Sequence, residues 1–213
     1  MDGKNHAADR RPIAARDLAL THRVAAWFIA RGASPDAISF GGMVAGLLAG
    51  LALAGTLWWP GAAWVFWLLA ALLVQLRLLA NLLDGMVAIG RRVASARGEL
   101  WNEVPDRVSD TAVLLGLGVA AGSPAWGLAA SLGSMSAAYI RAVGRAAGAP
   151  SDFRGPMAKQ HRMALVTALA VWCAVTPFAW HAPLPYWTLV VITVLATLTA
   201  LRRLAGIAAH LRG

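Results

Sequence analysis

The sequence has little charge and almost no cysteine. Only 14% of its 213 residues are charged, whereas 59% are hydrophobic, and the mean hydropathy is +0.61. This composition excludes an ordinary soluble domain, in which about 25% of residues are charged. The single cysteine, Cys173, stands in an apolar run, which excludes a disulfide framework and a thiolate metal site. The composition therefore predicts an integral membrane protein.

Lysine and arginine are absent from every second connection between the predicted spans. Apolar runs of about 20 residues, long enough to cross a bilayer, predict six transmembrane helices near 37–57, 62–89, 103–122, 124–147, 162–181 and 185–205. The basic residues lie in the tail, in the connections after the second and fourth spans, and after the sixth span. Cytoplasmic loops are rich in Lys and Arg. We therefore expect a multi-pass protein of the inner (cytoplasmic) membrane with both termini in the cytoplasm.

The N-terminal segment lacks a continuous apolar stretch, so no signal peptide is visible. Apolar residues from Ile13 to Ile29 alternate with charged ones at helical spacing, which predicts an amphipathic helix on the membrane surface. We divide the chain into a cytoplasmic tail with this interfacial helix, residues 1–36, and an all-α six-helix transmembrane domain, residues 37–213. The net charge of +9 indicates attraction to anionic lipid or phosphate. No nucleic acid partner is expected, since no aromatic and basic reading face accompanies the charge.

Acidic residues are also scarce, yet five of the ten lie between Asn81 and Asp110. Ionised side chains beside apolar spans are costly and usually functional. Residues three or four apart share a helix face, so Asn81 and Asp84 project together from the second span, and Asn102 and Asp106 from the third. A short connection joins these spans, so the two faces can meet at the cytoplasmic end. Their oxygen atoms suit a hard divalent cation such as Mg²⁺, Mn²⁺ or Ca²⁺.

Three neighbouring residues add to this pocket. Gly85 and Gly98 leave room for a ligand against the backbone. Arg77, four residues before Asn81, points the same way and is a candidate contact for phosphate. The alternative interpretation is a structural polar network in which nearby arginines serve as counter-ions.

These residues resemble the motif of the CDP-alcohol phosphotransferases. That motif is Asp-x-x-Asp-Gly-x-x-Ala-Arg, eight residues, Gly, three residues, Asp, three residues, Asp, on the second and third of six transmembrane helices. The corresponding positions here are Asn81, Asp84, Gly85, Ala88, Ile89, Gly98, Asn102 and Asp106. Every gap is preserved and five identities match, while Asn81, Ile89 and Asn102 depart from the pattern. The resemblance extends to the tail helix, to the Gly-x-Ser-Pro-x-x-Ile-Ser entry at 32–39, to the span count and to the topology.

The resemblance implies an activity. A phosphatidyl or other phosphoalcohol group would pass from a CDP-linked donor, with CDP-diacylglycerol favoured, to an alcohol acceptor during phospholipid synthesis, with release of CMP. Family members commonly pair as homodimers in the membrane.

The resemblance also implies residue roles. Asn81, Asp84, Asn102 and Asp106 would bind Mg²⁺ or Mn²⁺, Asp106 would deprotonate the alcohol, and Gly85, Ala88 and Gly98 would border the cytidine. Two amides replace carboxylates, so we expect the site to hold one ion readily. A second ion would need help from substrate phosphate or from Glu103 and Asp110.

A second basic group precedes the fifth span. Arg154, Lys159 and Arg162 are expected on the same side as the acidic pocket, where they would bind a phosphate or an anionic head group. Two other function classes stay open: a catalytically impaired relative that binds nucleotide or lipid, and a small transporter. The transporter is less favoured, because its acids would lie deeper in several spans.

Overall fold

The computed structural model describes residues 19–93 and 96–212, without the side chains of Ala96, Arg97 and Glu99. Helices dominate these ranges, and no β-strand occurs in them. They are α1 (Ala19–Ala30), α2 (Pro35–Trp58), a 3-10 turn (Pro60–Ala62), α3 (Ala63–Gly90), α4 (Ala96–Ala120), α5 (Pro124–Ala146), α6 (Lys159–Val175), the short α7 (Phe178–His181) and α8 (Leu184–His210). The all-α fold class is confirmed.

The six long helices coincide with the six predicted spans, with two differences at their ends. The fifth predicted span, 162–181, is interrupted: α6 ends at Val175, and Thr176 is extended, with φ −115° and ψ 151°. Pro177 explains the interruption, because proline excludes helical backbone at the residue before it and has no N–H to donate. The third predicted span, near 103–122, begins earlier, since α4 is helical from Ala96.

Three segments of the described chain are long and apolar enough to cross a membrane. They are Pro35–Trp58, Pro60–Gly90 and Phe178–His210. Helices α4, α5 and α6 fall outside this set, α6 because it has only 17 residues and α4 because charged residues crowd its first half. The length and composition of the helices thus support a membrane protein, while the six-span count stays a prediction.

Helix α2 packs between α3 and α4 along a face of small residues. A methyl group at Gly42 would press on Ala80 of α3, and one at Gly46 would collide with Ser109 of α4. Further along, the backbones of Gly50 and Gly116 lie against each other. Small residues let helix backbones approach closely, which is the usual way in which membrane helices associate. This packing holds the polar ends of α3 and α4 on the same side of the bundle.

The remaining helices complete the bundle around an apolar core. Helix α5 packs on α4 and α8, and α6 packs on α3. Val74, Val113, Leu117 and Ile192 meet in the centre, each fully buried. Cys173 is buried in the same core, as its apolar sequence context predicts.

Helix α1 lies against the end of α3. Thr21 and Ala25 are buried, whereas Leu20 and Trp27 are exposed. The Arg91 guanidinium, just past α3, donates to the carbonyl oxygens of Gly32 and Ala33 at 2.9 and 2.6 Å. The elbow between α1 and α2 is therefore attached to the end of α3. The predicted helical pattern of residues 13–18 lies outside the described residues.

We predict that Gly116→Ala destabilises the bundle by about 2 kcal/mol, the usual cost of overpacking. The added methyl group would meet the carbonyl oxygen of Gly50, and backbone atoms cannot turn away from it. Thermal unfolding of the purified protein in detergent measures the effect. Gly41→Ala is the matched control: its methyl group would enter open space, and alanine favours the helix. Equal melting temperatures for the two variants would contradict the close packing of α2 on α4.

Candidate active site

The polar side chains from the ends of four helices meet on one side of the bundle. Ser39 stands in the second turn of α2, Asp84 two turns before the end of α3, Asp106 in the first half of α4, and Lys159 at the first residue of α6. They contact each other in two pairs, Ser39 with Asp84 and Lys159 with Asp106, and Asn81 of α3 donates to Asp106 of α4. The predicted meeting of the faces of α3 and α4 is thus observed.

Asp84 is buried, with 3% of its surface exposed. Its Oδ2 accepts a hydrogen bond from the Ser39 hydroxyl at 2.5 Å, while its Oδ1 is buried without a partner. Asp106 and Lys159 lie close enough for their charges to act on Asp84. A buried carboxylate oxygen without a donor is costly. Asp84 therefore offers a free lone pair toward the site.

Asp106 is surrounded by donors. Its Oδ1 accepts from the Asn81 side-chain amide and, at 3.4 Å, from the Arg77 guanidinium. Its Oδ2 accepts from the Lys159 ammonium at 2.5 Å, with Arg107 at 3.6 Å. Residues 77 and 81 contact the same carboxylate, as their spacing of four predicts. Asn81 turns its amide nitrogen, not its oxygen, toward Asp106.

One turn further along α4, Asp110 joins two buried arginines. Its Oδ1 accepts from Arg77 at 2.5 Å and its Oδ2 from Arg162 at 2.9 Å. Arg77 is fully buried and also donates to the Ser109 hydroxyl at 2.6 Å. Arg162 also donates to the carbonyl oxygen of Met157. Asp110 thus ties α3 and α6 to α4 beneath Asp106.

The third acid of α4, Glu103, faces outward from this group. It pairs with Arg141 of α5 at 2.5 Å and with Arg107 at 3.8 Å. Arg141 in turn lies over the ring of Phe153. The remaining acid of the segment, Glu99, and the basic Arg97 have side chains outside the described part of the structure.

The other predicted site residues differ in how far they are buried. Gly85 is half-buried beside open space, as room for a ligand requires. Ala88 and Gly98 are half-buried, one near the end of α3 and one in the first turn of α4. Asn102 is exposed, and no carboxylate contacts it among the described residues. Arg154 points to solvent.

The described residues leave few oxygen atoms free for a divalent ion. In the part of the chain that the structure describes, no group of three His, Cys, Asp or Glu side chains is arranged to hold a metal. The Oδ1 of Asp84, which has no hydrogen-bond partner, is a donor that a hard cation prefers, and Asn81 and Asn102 carry neutral amide oxygens. Both oxygens of Asp106 are already engaged.

The comparisons with known proteins agree with this geometry. No family model matches the sequence. Over 200 residues the chain is 28% identical to the phosphatidylinositol phosphate synthase of Mycobacteroides abscessus, which covers 88% of this chain and 86% of the relative. The Mycobacterium tuberculosis phosphatidylinositol phosphate synthase with CDP-DAG bound matches with a TM-score of 0.72 at 23% identity, over 89% of this chain and 94% of that one. The same enzyme with manganese and citrate matches with a TM-score of 0.70 at 23% identity, over 86% and 88%.

The chain has the fold of a CDP-alcohol phosphotransferase. The resemblance predicted from the motif is confirmed by this shared fold and by the sequence similarity to the synthase. Asp84 and Asp106 stand at the spacing of the phosphotransferase motif in this sequence.

An open groove of about 500 Å³ lies between the 149–154 connection and α8. Arg154, Arg202 and Arg203 line it or an adjoining depression. Arg154 donates to Asp152 through its backbone and side chain, and these hydrogen bonds lower the pKa of Asp152. A lowered pKa means that the turn keeps this support above the ordinary pKa of 3.8 and loses it as the pH falls through the lower value.

Sequence reasoning missed several residues of this region. Ser39 was recognised only as part of the entry to α2, although a serine facing an apolar span one turn inside the helix already suggests a buried partner. Arg203 was assigned to topology, but it is buried and donates to the carbonyl oxygens of Arg154 and Ala137 at 3.0 and 2.8 Å. Thr199 accepts from the backbone N–H of Met157. No sequence signal links α8 to residues 154–157, because these contacts depend on tertiary packing.

We predict that Asp110→Asn destabilises the protein by about 3 kcal/mol, because two buried guanidinium groups would lose their shared counter-charge. Chemical or thermal unfolding in detergent measures the change. Asp152→Asn is the matched control, since its partner Arg154 is exposed and an exposed pair contributes little. A loss in Asp110→Asn no larger than in the control would show that the buried pairs do not hold α3 and α6 on α4.

Proposed function

We propose that the protein transfers a phosphatidyl or other phosphoalcohol group from a CDP-linked donor, CDP-diacylglycerol before others, to an alcohol acceptor and releases CMP. The observation that carries the proposal is the pair Asp84 and Asp106, set at the motif spacing and facing one site. The solved neighbour with CDP-DAG bound and the sequence relative, a phosphatidylinositol phosphate synthase, support the same class of reaction.

The reaction is a substitution at phosphorus. The acceptor oxygen attacks the phosphorus that carries the diacylglycerol, and the bond from this phosphorus to the CMP oxygen breaks. The acceptor hydroxyl loses its proton to Asp106, which serves as the general base. A bound Mg²⁺ or Mn²⁺ supplies charge neutralisation on the pyrophosphate, and the neighbour with manganese supports a divalent ion.

The residues of the site divide this work. Asp84 and Asp106, with Asn81 and Asn102 as neutral donors, would hold the ion, while Gly85, Ala88 and Gly98 would leave space for the cytidine. Arg77 and Arg162 are buried counter-ions of Asp110 and Asp106, so we assign them to positioning of the acids instead of direct phosphate contact. Lys159 reaches Asp106 from α6 and borders the space that an acceptor would enter.

An anionic group of the acceptor would lie in the groove lined by Arg154, Arg202 and Arg203. This groove opens beside the connection that leads into Lys159, so a bound acceptor would lie near Asp106. Arg154 is exposed and pairs with Asp152, so a bound anion would compete with this carboxylate for the guanidinium. Arginine suits phosphate because its fork offers two parallel donors.

Membrane placement follows from the same proposal. Helices α4, α5 and α6 would join the three apolar spans to make six, with the acidic site and both termini on the cytoplasmic side of the inner membrane. Helix α1 would lie on the membrane surface with Leu20 and Trp27 toward lipid. A homodimer is proposed from the family resemblance.

One observation favours a second function, nucleotide or lipid binding without turnover. Asp106 already accepts hydrogen bonds at both oxygens, and two family carboxylates are amides here. An ion that binds weakly would leave a binding protein with little transferase activity. A transporter is disfavoured, because the described acids of the site gather at one end of the bundle.

The transferase proposal predicts CMP release from CDP-diacylglycerol that requires Mg²⁺ or Mn²⁺ and stops with EDTA. Purified protein in detergent would be assayed with a panel of alcohols and alcohol phosphates. Asp106→Asn should lower the rate at least about 100-fold, the smaller part of the range that general base catalysis supplies.

Asp36→Asn, an acid-to-amide change in the first turn of α2, is the control and should keep the rate. An Asp106→Asn variant as fast as this control would remove Asp106 from the chemistry. Tight binding of CDP-diacylglycerol without CMP release from any acceptor would favour the second function.

A further inference from the structure

We propose that Lys159 and the divalent ion compete for Asp106: the ammonium group occupies the carboxylate that an ion would otherwise share, and ion binding displaces it. This inference rests on the proposed function, since it takes Asp84 and Asp106 as the metal site. Lys159 lies outside the acidic motif, and we infer that it lowers the affinity of the site for the ion.

The position of Lys159 is built into the fold. Its ammonium group lies 2.5 Å from Oδ2 of Asp106, and only 19% of its side chain is exposed. It is the first residue of α6, directly after Met157, whose N–H donates to Thr199, and Ala158, which is buried. The start of α6 is thus fixed against α8, which aims the lysine at the site.

The two acids of the site differ in their freedom. Asp84 keeps one buried oxygen without a partner, whereas both oxygens of Asp106 are engaged. An ion that bridges the two acids must therefore displace one of the hydrogen-bond donors from an Asp106 oxygen. Arg77 is locked between Ser109 and Asp110, and the Asn81 amide donates to Oδ1, so Lys159 is the charged donor that can leave Oδ2.

The charge of the network gives the competition its strength. Three carboxylates (Glu103, Asp106 and Asp110) pair with five cations (Arg77, Arg107, Arg141, Lys159 and Arg162). Asp84 adds a fourth carboxylate, whose described side-chain partner is the neutral Ser39 hydroxyl. An incoming ion therefore meets a site with one surplus positive charge. Restoring aspartate at positions 81 and 102 would reverse that sign. The positive charge of Lys159 thus neutralises Asp106, a task that a metal ion would perform in a site with four aspartates.

Lysine suits this exchange better than arginine. Its ammonium group is a compact charge on a flexible stem, and it gives one charge without a fixed fork. The chain has 19 basic side chains, of which only Lys4 and Lys159 are lysines. All the remaining basic side chains of the described residues are arginines.

Mn²⁺ binding to the purified full-length chain without substrate tests the inference, by calorimetry or electron paramagnetic resonance. Lys159→Gln should bind Mn²⁺ more tightly than the wild type, on the order of tenfold, because a charge next to the ion is removed. Lys159→Arg keeps the charge and adds a fixed fork, so it should bind Mn²⁺ no more tightly than the wild type. Arg154→Gln removes an exposed positive charge near the site without touching Asp106, and should change affinity less than about twofold.

A second measurement uses the wild-type chain and so does not depend on the folding of a variant. Saturating Mn²⁺ should increase the labelling of Lys159 by an amine-reactive reagent several-fold, with Lys4 as the internal reference. Magnesium should act in the same direction, while Asp84→Asn, which weakens the ion site, should abolish the increase.

The outcomes separate this inference from the proposed function. Mn²⁺ affinity in Lys159→Gln no higher than in Arg154→Gln, or labelling of Lys159 that does not rise with Mn²⁺, would overturn the competition while the transferase proposal stands. Absence of Mn²⁺ binding in the wild type and in Lys159→Gln would overturn both. Binding by Lys159→Gln alone would support the competition in its strongest form.

Discussion

The neutralisation of buried carboxylates on α4 is the constraint on which the arrangement of the bundle depends. Asp106 and Asp110 lie one helical turn apart in an apolar surrounding, where an isolated charge is costly. Their counter-charges come from α3 through Arg77 and from α6 through Arg162 and Lys159. The three helices must therefore meet at this level, and α2 allows the meeting because its small residues let the neighbouring backbones come close.

The same constraint gives the site its asymmetry. Ser39 satisfies one oxygen of Asp84 and leaves the other open, while Asp106 receives donors from two other helices and from its own. Four aspartates in such a pocket would repel one another. With amides at 81 and 102 two of these negative charges are absent, and cationic side chains pair with Asp106.

Much of the fold and part of the site could be predicted from the sequence. Apolar runs located the long helices, and the spacing of four placed Arg77 and Asn81 on one face, where both contact Asp106. Pro177 is a sequence signal for the end of α6, but the predicted span, 162–181, wrongly continued through it. The direction of the Arg77 guanidinium, toward acids instead of a ligand, could not be predicted, because it depends on Ser109 and Asp110 of another helix. The contact between Lys159 and Asp106 was equally hidden, since 53 residues separate them and only the packing of α6 on α3 brings them together.

The hydrogen bonds from Arg91 to the carbonyl oxygens of Gly32 and Ala33 couple α1 to α3 mechanically. Asp84 and Arg91 are seven residues apart, about 10 Å along the helix axis. The same helix thus carries a carboxylate of the pocket at one level and holds α1 at the next. A tilt or twist of this helix would therefore move α1 as well.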